Sequence, residues 1–136
     1  MKAQTRKQFL ATAVTLAAAP AAVWAASETN KVSMQVIHHV FFWLKRPGNA
    51  EDRALLIEGL RTLRAIPQVK TLLIGGPAST VKRDVVDNSF DLSEMMFFDS
   101  AADQDAYQVH PVHAAFVEKY GHLMGRVVVY DMIVEE

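Results

Sequence analysis

No cysteine occurs among the 136 residues. That excludes disulfides, a thiol nucleophile, a cysteine-rich zinc site and lipid attachment through a cysteine. A basic excess is also missing, since 14 Lys and Arg stand against 15 Asp and Glu, and without a basic stripe no nucleic-acid partner is expected. The acidic side chains are too scattered to suit a polycation. No internal repeat is present. No phosphate-cradling glycine loop is present either, because Gly75-Gly76-Pro77 is followed by neither Gly-Lys-Ser nor a Gly-x-x-Gly spacing that opens a helix.

What is present begins with a tripartite N-terminus. Lys2, Arg6 and Lys7 precede an apolar stretch from Phe9 to Ala22, and Val23-Trp24-Ala25 supplies a small-x-small cleavage signal, the plan of a secretory peptide. The stretch is shorter than the roughly 20 strongly apolar residues that a bilayer span needs. Residues 1–25 are therefore expected to be a signal peptide cleaved after Ala25. The product would be periplasmic or secreted, with no stable membrane anchor. Thr5-Arg6-Lys7-Gln8-Phe9-Leu10 resembles the twin-arginine export motif with Lys7 in place of its second arginine, which leaves the export route open. The remaining chain of about 110 residues carries 15 acidic and about 11 basic side chains, enough for one domain. Residues 26–34 read as a flexible lead-in and 35–136 as the domain.

Val36 to Leu44 are mostly β-branched and aromatic and end at Lys45-Arg46-Pro47-Gly48, a strand closed by a turn. Asn49 caps a predicted helix over 50–65 in which Leu56, Leu60 and Leu63 recur and Pro67 supplies the stop. Val69–Ile74 and Leu92–Asp99 read as strands on either side of a long loop from Ala78 to Ser89. Ser100 with Asp103 starts a helix to about Val109. Pro111, unsuited to a helix interior, starts another that ends at Tyr120 before Gly121. Arg126–Val134 is the last strand. The order is β-α-β-β-α-β, a ferredoxin-like α+β sheet with its helices on one face.

Alternation along the first strand puts Val36, His38, Val40, Phe42 and Leu44 in one row and Ile37, His39, Phe41 and Trp43 in the other. Both rows are apolar, so the face without helices needs a cover. A homodimer through that sheet face provides one. Phe41, Phe42, Trp43, Phe97 and Phe98 accordingly read as core and dimer contact.

His38-His39-Val40-Phe41-Phe42-Trp43-Leu44-Lys45, Tyr107-Gln108-Val109-His110-Pro111-Val112-His113 and Val129-Tyr130-Asp131 together resemble the stress-responsive α/β-barrel, or Dabb, family. The likeness runs from about Val36 to Asp131. It implies a ferredoxin-like monomer that pairs into an α/β-barrel dimer. It also includes a branch of polyketide cyclases, similar to olivetolic acid cyclase, in which a Tyr and a His drive an intramolecular aldol condensation. Carried over, that Tyr and His match Tyr107 and His113, and the cyclase's first-strand histidine matches His38. Its third-strand histidine is Leu92 here. Export beyond the cytoplasm further separates this chain from intracellular polyketide intermediates.

His113 can serve as a general base, because imidazole titrates near neutrality, while Tyr107 orients or polarises a carbonyl. On an unbroken helix residues six apart diverge by about 240°, so the break at Pro111 would have to re-aim them. A site of His38, Tyr107, His110 and His113 that binds a small apolar organic molecule is one expectation, and acid–base catalysis of a cyclase or lyase type is a second. In a third, a non-catalytic stress-protection or interaction protein, the same side chains only bond backbone. His110 and His113, with His38, His39 or His122, have a metal-ligand spacing, but no metal and no cofactor is assigned. Glu94 stands out in the row Leu92, Met96, Phe98 and is expected to pair with Arg126 or another cation.

Overall fold

The computed structural model describes residues 35–136. The expected signal peptide, 1–25, and lead-in, 26–34, lie outside the described residues. Among the described residues, no helix is long and apolar enough to cross a membrane.

β1 (Val36–Leu44) alternates as its sequence requires. Val36, His38, Val40, Phe42 and Leu44 are buried, and the residues between them are half-buried. Asn49 then starts α1 (Ala50–Thr62), its side chain accepting a hydrogen bond from the Asp52 amide. The expected single helix over 50–65 tightens into a 3₁₀ turn at Leu63–Ala65. Ile66, which precedes Pro67, is extended, because proline disfavours the helical conformation in the residue before it. Leu56, Leu60, Leu63 and Ile66 are fully buried.

β2 (Thr71–Gly75) starts two residues later than its apolar pattern suggests. The Val69 amide still bonds the Ile66 carbonyl and so belongs to the preceding turn. β3 (Leu92–Phe98) follows the long loop. Ser100 accepts from the Asp103 amide to open α2 (Ala101–Gln108), and Pro111 heads α3 (Pro111–Tyr120). A 3₁₀ turn at Gly121–Leu123 leads into β4 (Met124–Ile133).

The strands form one antiparallel sheet in the order β2-β3-β1-β4, the split ferredoxin-like arrangement. β1 is central and β4 is an edge. The helices cover the near face of β1 and β3, where Phe42, Leu92, Met96 and Phe98 form the core. They leave β4 open, since its near-face Val129 is 45% exposed and its far-face Tyr130 64%. α1 and α3 pack together at Gly59, where an added Cβ would stand 2.5 Å from the Tyr120 ring.

Candidate active site

Register decides which side chains meet beneath the helices. Across β1, His38 lies opposite Met96 of β3 and Asp131 of β4, while Val40 lies opposite Glu94. His38 is buried, and its Nδ1 is 2.6 Å from the Asp131 carboxylate. An ionised carboxylate only accepts hydrogen bonds, so Nδ1 carries the proton.

Tyr107 comes down from the end of α2 onto this histidine, with ring centroids 5.7 Å apart and Phe98 at 5.3 Å. His113, two residues into α3, lies 4.8 Å from the Tyr107 ring. The chain break at Pro111 makes that approach possible, because a continuous helix would turn the two residues apart. His110 takes another part. Its Nδ1 accepts from the Val112 amide at 3.1 Å and caps α3, so this histidine serves the junction. His39 faces the opposite side of the sheet, beside Phe41 at 4.2 Å.

Glu94 stands in the buried row with Leu92, Met96 and Phe98, and is itself 2% exposed. The expected pairing with Arg126 is not formed. Arg126 lies opposite Trp43 on the far face, with its guanidinium 4.4 Å from that ring, because the alternation of β4 sends residue 126 away from the helices. Among the described residues, Oε2 of Glu94 has no hydrogen-bond partner.

Burial sets the protonation states. Desolvation pushes the Glu94 carboxyl up to about 8, so at neutral pH it is largely the uncharged acid. Tyr107 is raised well above the ordinary phenol range, first by burial and then by the nearby Glu94. It is a hydrogen-bond donor here and not a base. His113 is lowered, chiefly by desolvation, with the neighbouring His38 adding to the effect and a hydrogen bond to the Gln108 backbone opposing it. The cluster thus offers neutral donors in Tyr107 and Glu94 beside a neutral base in His113 and the Asp131-bound imidazole of His38, the equipment for proton transfer at a carbonyl compound. His113 is the only one of these four side chains that is not buried.

Among the described residues, no group of three or more His, Asp or Glu converges as metal ligands would. Three surface grooves among the described residues lie elsewhere. One of about 130 Å³ opens on the far face between Phe41, Trp43, Phe90 and Tyr130. Two others, at Thr80–Asn88 and beside Arg46 and His122, do not reach Tyr107 or His113 either. Asp131 was missed as a functional residue in the sequence. The signal was a lone acid within an apolar strand, whose meaning depends on register.

Residues 36–134 match the model of the stress responsive A/B barrel domain. No curated protein matches the chain. Solved structures share its fold. A Dabb family protein with a ferredoxin-like fold from Mesorhizobium loti is 21% identical with a TM-score of 0.61, over 76% of this chain and 99% of that one. A dimeric ferredoxin-like protein of unknown function from Thermobifida fusca is 20% identical with a TM-score of 0.59, over 74% and 92%. The hydroxynitrile lyase of Passiflora edulis is 21% identical with a TM-score of 0.64, over 76% and 96%.

Proposed function

Because the chain belongs to the stress responsive A/B barrel domain family, we propose that it acts as a homodimer whose interior cluster binds a small uncharged organic molecule. The His38–Asp131 contact carries this reading, since it holds a buried imidazole in one orientation beside the ring of Tyr107. The bound molecule would reach the cluster past His113 and meet Tyr107 and His38 behind it.

The homodimer is supported by the open sheet face. Tyr130 and Met132 are exposed there, and Ile37, Phe41 and Phe97 are half-buried, an apolar surface that a second copy would cover. The Thermobifida fusca protein of this fold is described as dimeric. Export completes the proposal. The mature chain would begin at Ala26 and work in the periplasm or outside the cell, and N-terminal sequencing of secreted material tests this.

Acid–base catalysis is the second reading. The same His38–Asp131 pair favours it, and one protein of this fold is a hydroxynitrile lyase. A thermal-shift titration with acetophenone, a small ketone, tests both readings. We expect a raised melting temperature that His113→Ala and Tyr107→Phe reduce. No shift with acetophenone overturns the ligand reading. Exchange of the ketone's methyl protons for deuterium, faster than in buffer and lost in His38→Ala, would establish proton transfer.

A further inference from the structure

We infer that Glu94 is a hydrogen-bond donor of this site, which holds its proton so that its carboxylic acid and the Tyr107 hydroxyl together grip one oxygen of an aldehyde or ketone. This deepens the reading above and rests on it. Three features of its placement support this role.

The first is register. Glu94 pairs with Val40, and His38 pairs with Met96, so Glu94 and His38 are diagonal neighbours on one face of adjacent strands, within reach of long side chains. The second is isolation. Glu94 is 2% exposed, and its Oε2 is without a partner among the described residues. A buried polar atom left unsatisfied is costly and is seldom kept without a use. The third is company. Tyr107, from the helix layer above, is buried against His38 and Phe98, with ring centroids 5.7 and 5.3 Å away.

Among the described residues, no cation pairs with Glu94. His38 is its diagonal neighbour on β1 with Asp131 beyond on β4, Tyr107 of α2 lies against His38, and His113 of α3 lies against Tyr107. β2 contributes the aliphatic Leu72 and Ile74. The one buried carboxylate of α1, Asp52, is bound to Arg46. An acid in apolar surroundings stays neutral, and only in that form can a carboxyl donate. A carbonyl oxygen supplies the missing acceptor, whereas a ligand with only apolar groups would leave Oε2 unsatisfied.

Acetophenone labelled with ¹³C at its carbonyl tests the inference, because hydrogen bonds to that oxygen move the carbon resonance downfield. At pH 6.5 the bound resonance should lie downfield of its position in water. Affinity should then fall about tenfold per pH unit above about 8 as Glu94 loses its proton. Glu94→Gln keeps a donor that does not titrate, so it should bind at both pH values with a flat profile. Glu94→Leu should reduce the downfield displacement to what Tyr107 alone supplies, equally at every pH, while remaining folded, since it removes an unpaired polar group.

A pH profile in Glu94→Gln that matches the unsubstituted protein would overturn the inference, as would an undisplaced resonance or a displacement left undiminished in Glu94→Leu. If acetophenone binds and His113→Ala weakens it while both Glu94 variants behave normally, only the role of Glu94 falls. Absence of binding to the unsubstituted protein removes the ligand site and this donor together.

Discussion

Asp131 faces His38 directly across the β1–β4 pair, with its carboxylate 2.6 Å from Nδ1, so a half-exposed acid on the edge strand sets the tautomer of a buried base on the central one. The side chain of Asp131 is 53% exposed, and solvent screens much of the attraction. Asp131→Ala should therefore cost only about 1 kcal/mol or less of stability. Its main effect should be on protonation. Imidazole ¹⁵N spectra should show His38 protonated at Nδ1 in the unsubstituted protein and a mixture of tautomers in the variant. Identical spectra would mean that the contact does not hold the ring.

Glu94 makes stability depend on pH in an unusual direction. Its carboxyl titrates at about 8 when folded against an ordinary 4.5, so between those values the folded state holds the extra proton. Stability from this group is present below about pH 4.5 and is lost as pH rises toward 8. The slope is up to roughly 1.4 kcal/mol per pH unit. Urea unfolding of Glu94→Gln across this range should give a flatter profile than the unsubstituted chain. Parallel profiles would place the carboxyl in contact with water.

Gly59 is fixed by what lies over it. Alanine normally favours a helix interior by about 1 kcal/mol over glycine, yet a Cβ here would stand 2.5 Å from one Tyr120 ring carbon and 2.6 Å from another. The ring is held by its hydroxyl, which donates to Glu58 at 2.9 Å. Gly59→Ala should therefore destabilise the domain, by about 1–3 kcal/mol. The double variant Gly59→Ala with Tyr120→Leu should recover part of this in thermal unfolding.

His39 lies on the open sheet face opposite Met95 and Tyr130. Its pKa is lowered from 6.5 by burial and by the neighbouring His38. A dimer through this face would bury it further and favour the neutral ring. The dimer should then hold above pH 6.5 and weaken as the pH falls below it. Sedimentation or light scattering between pH 5 and 8 checks this, and His39→Phe should abolish the dependence. A monomer at neutral pH would refute the dimer itself.

Much of this fold was legible because its signals are local. Asn49, Ser100 and Pro111 each act within one helical turn, and the alternation of β1 needs only its own nine residues. Helix α1 was read slightly long because Leu63–Ala65 keep the helical apolar spacing while their hydrogen bonds tighten. The site was legible in part. Tyr107, His113 and His38 are brought together, but His110 sits where a histidine can also cap, and spacing does not separate a cap from a ligand. Asp131 and the true surroundings of Glu94 depend on which strands neighbour β1 and in what register. That is long-range information, absent from any short window of residues.

The adjacent histidines of β1 place an unusual demand on the strand. Since neighbours on a strand face opposite ways, His38 serves the interior and His39 the outer sheet face. A slip of one residue would exchange every inward side chain for an outward one. It would move the His38 imidazole out of the interior and bring the His39 ring in at a shifted position. A one-residue insertion or deletion between Val36 and Leu44 would thus damage core, site and outer face in one stroke. Many single replacements would disturb only one of them. This strand should be the stretch of the domain most tolerant of conservative exchange relative to its intolerance of any change in length.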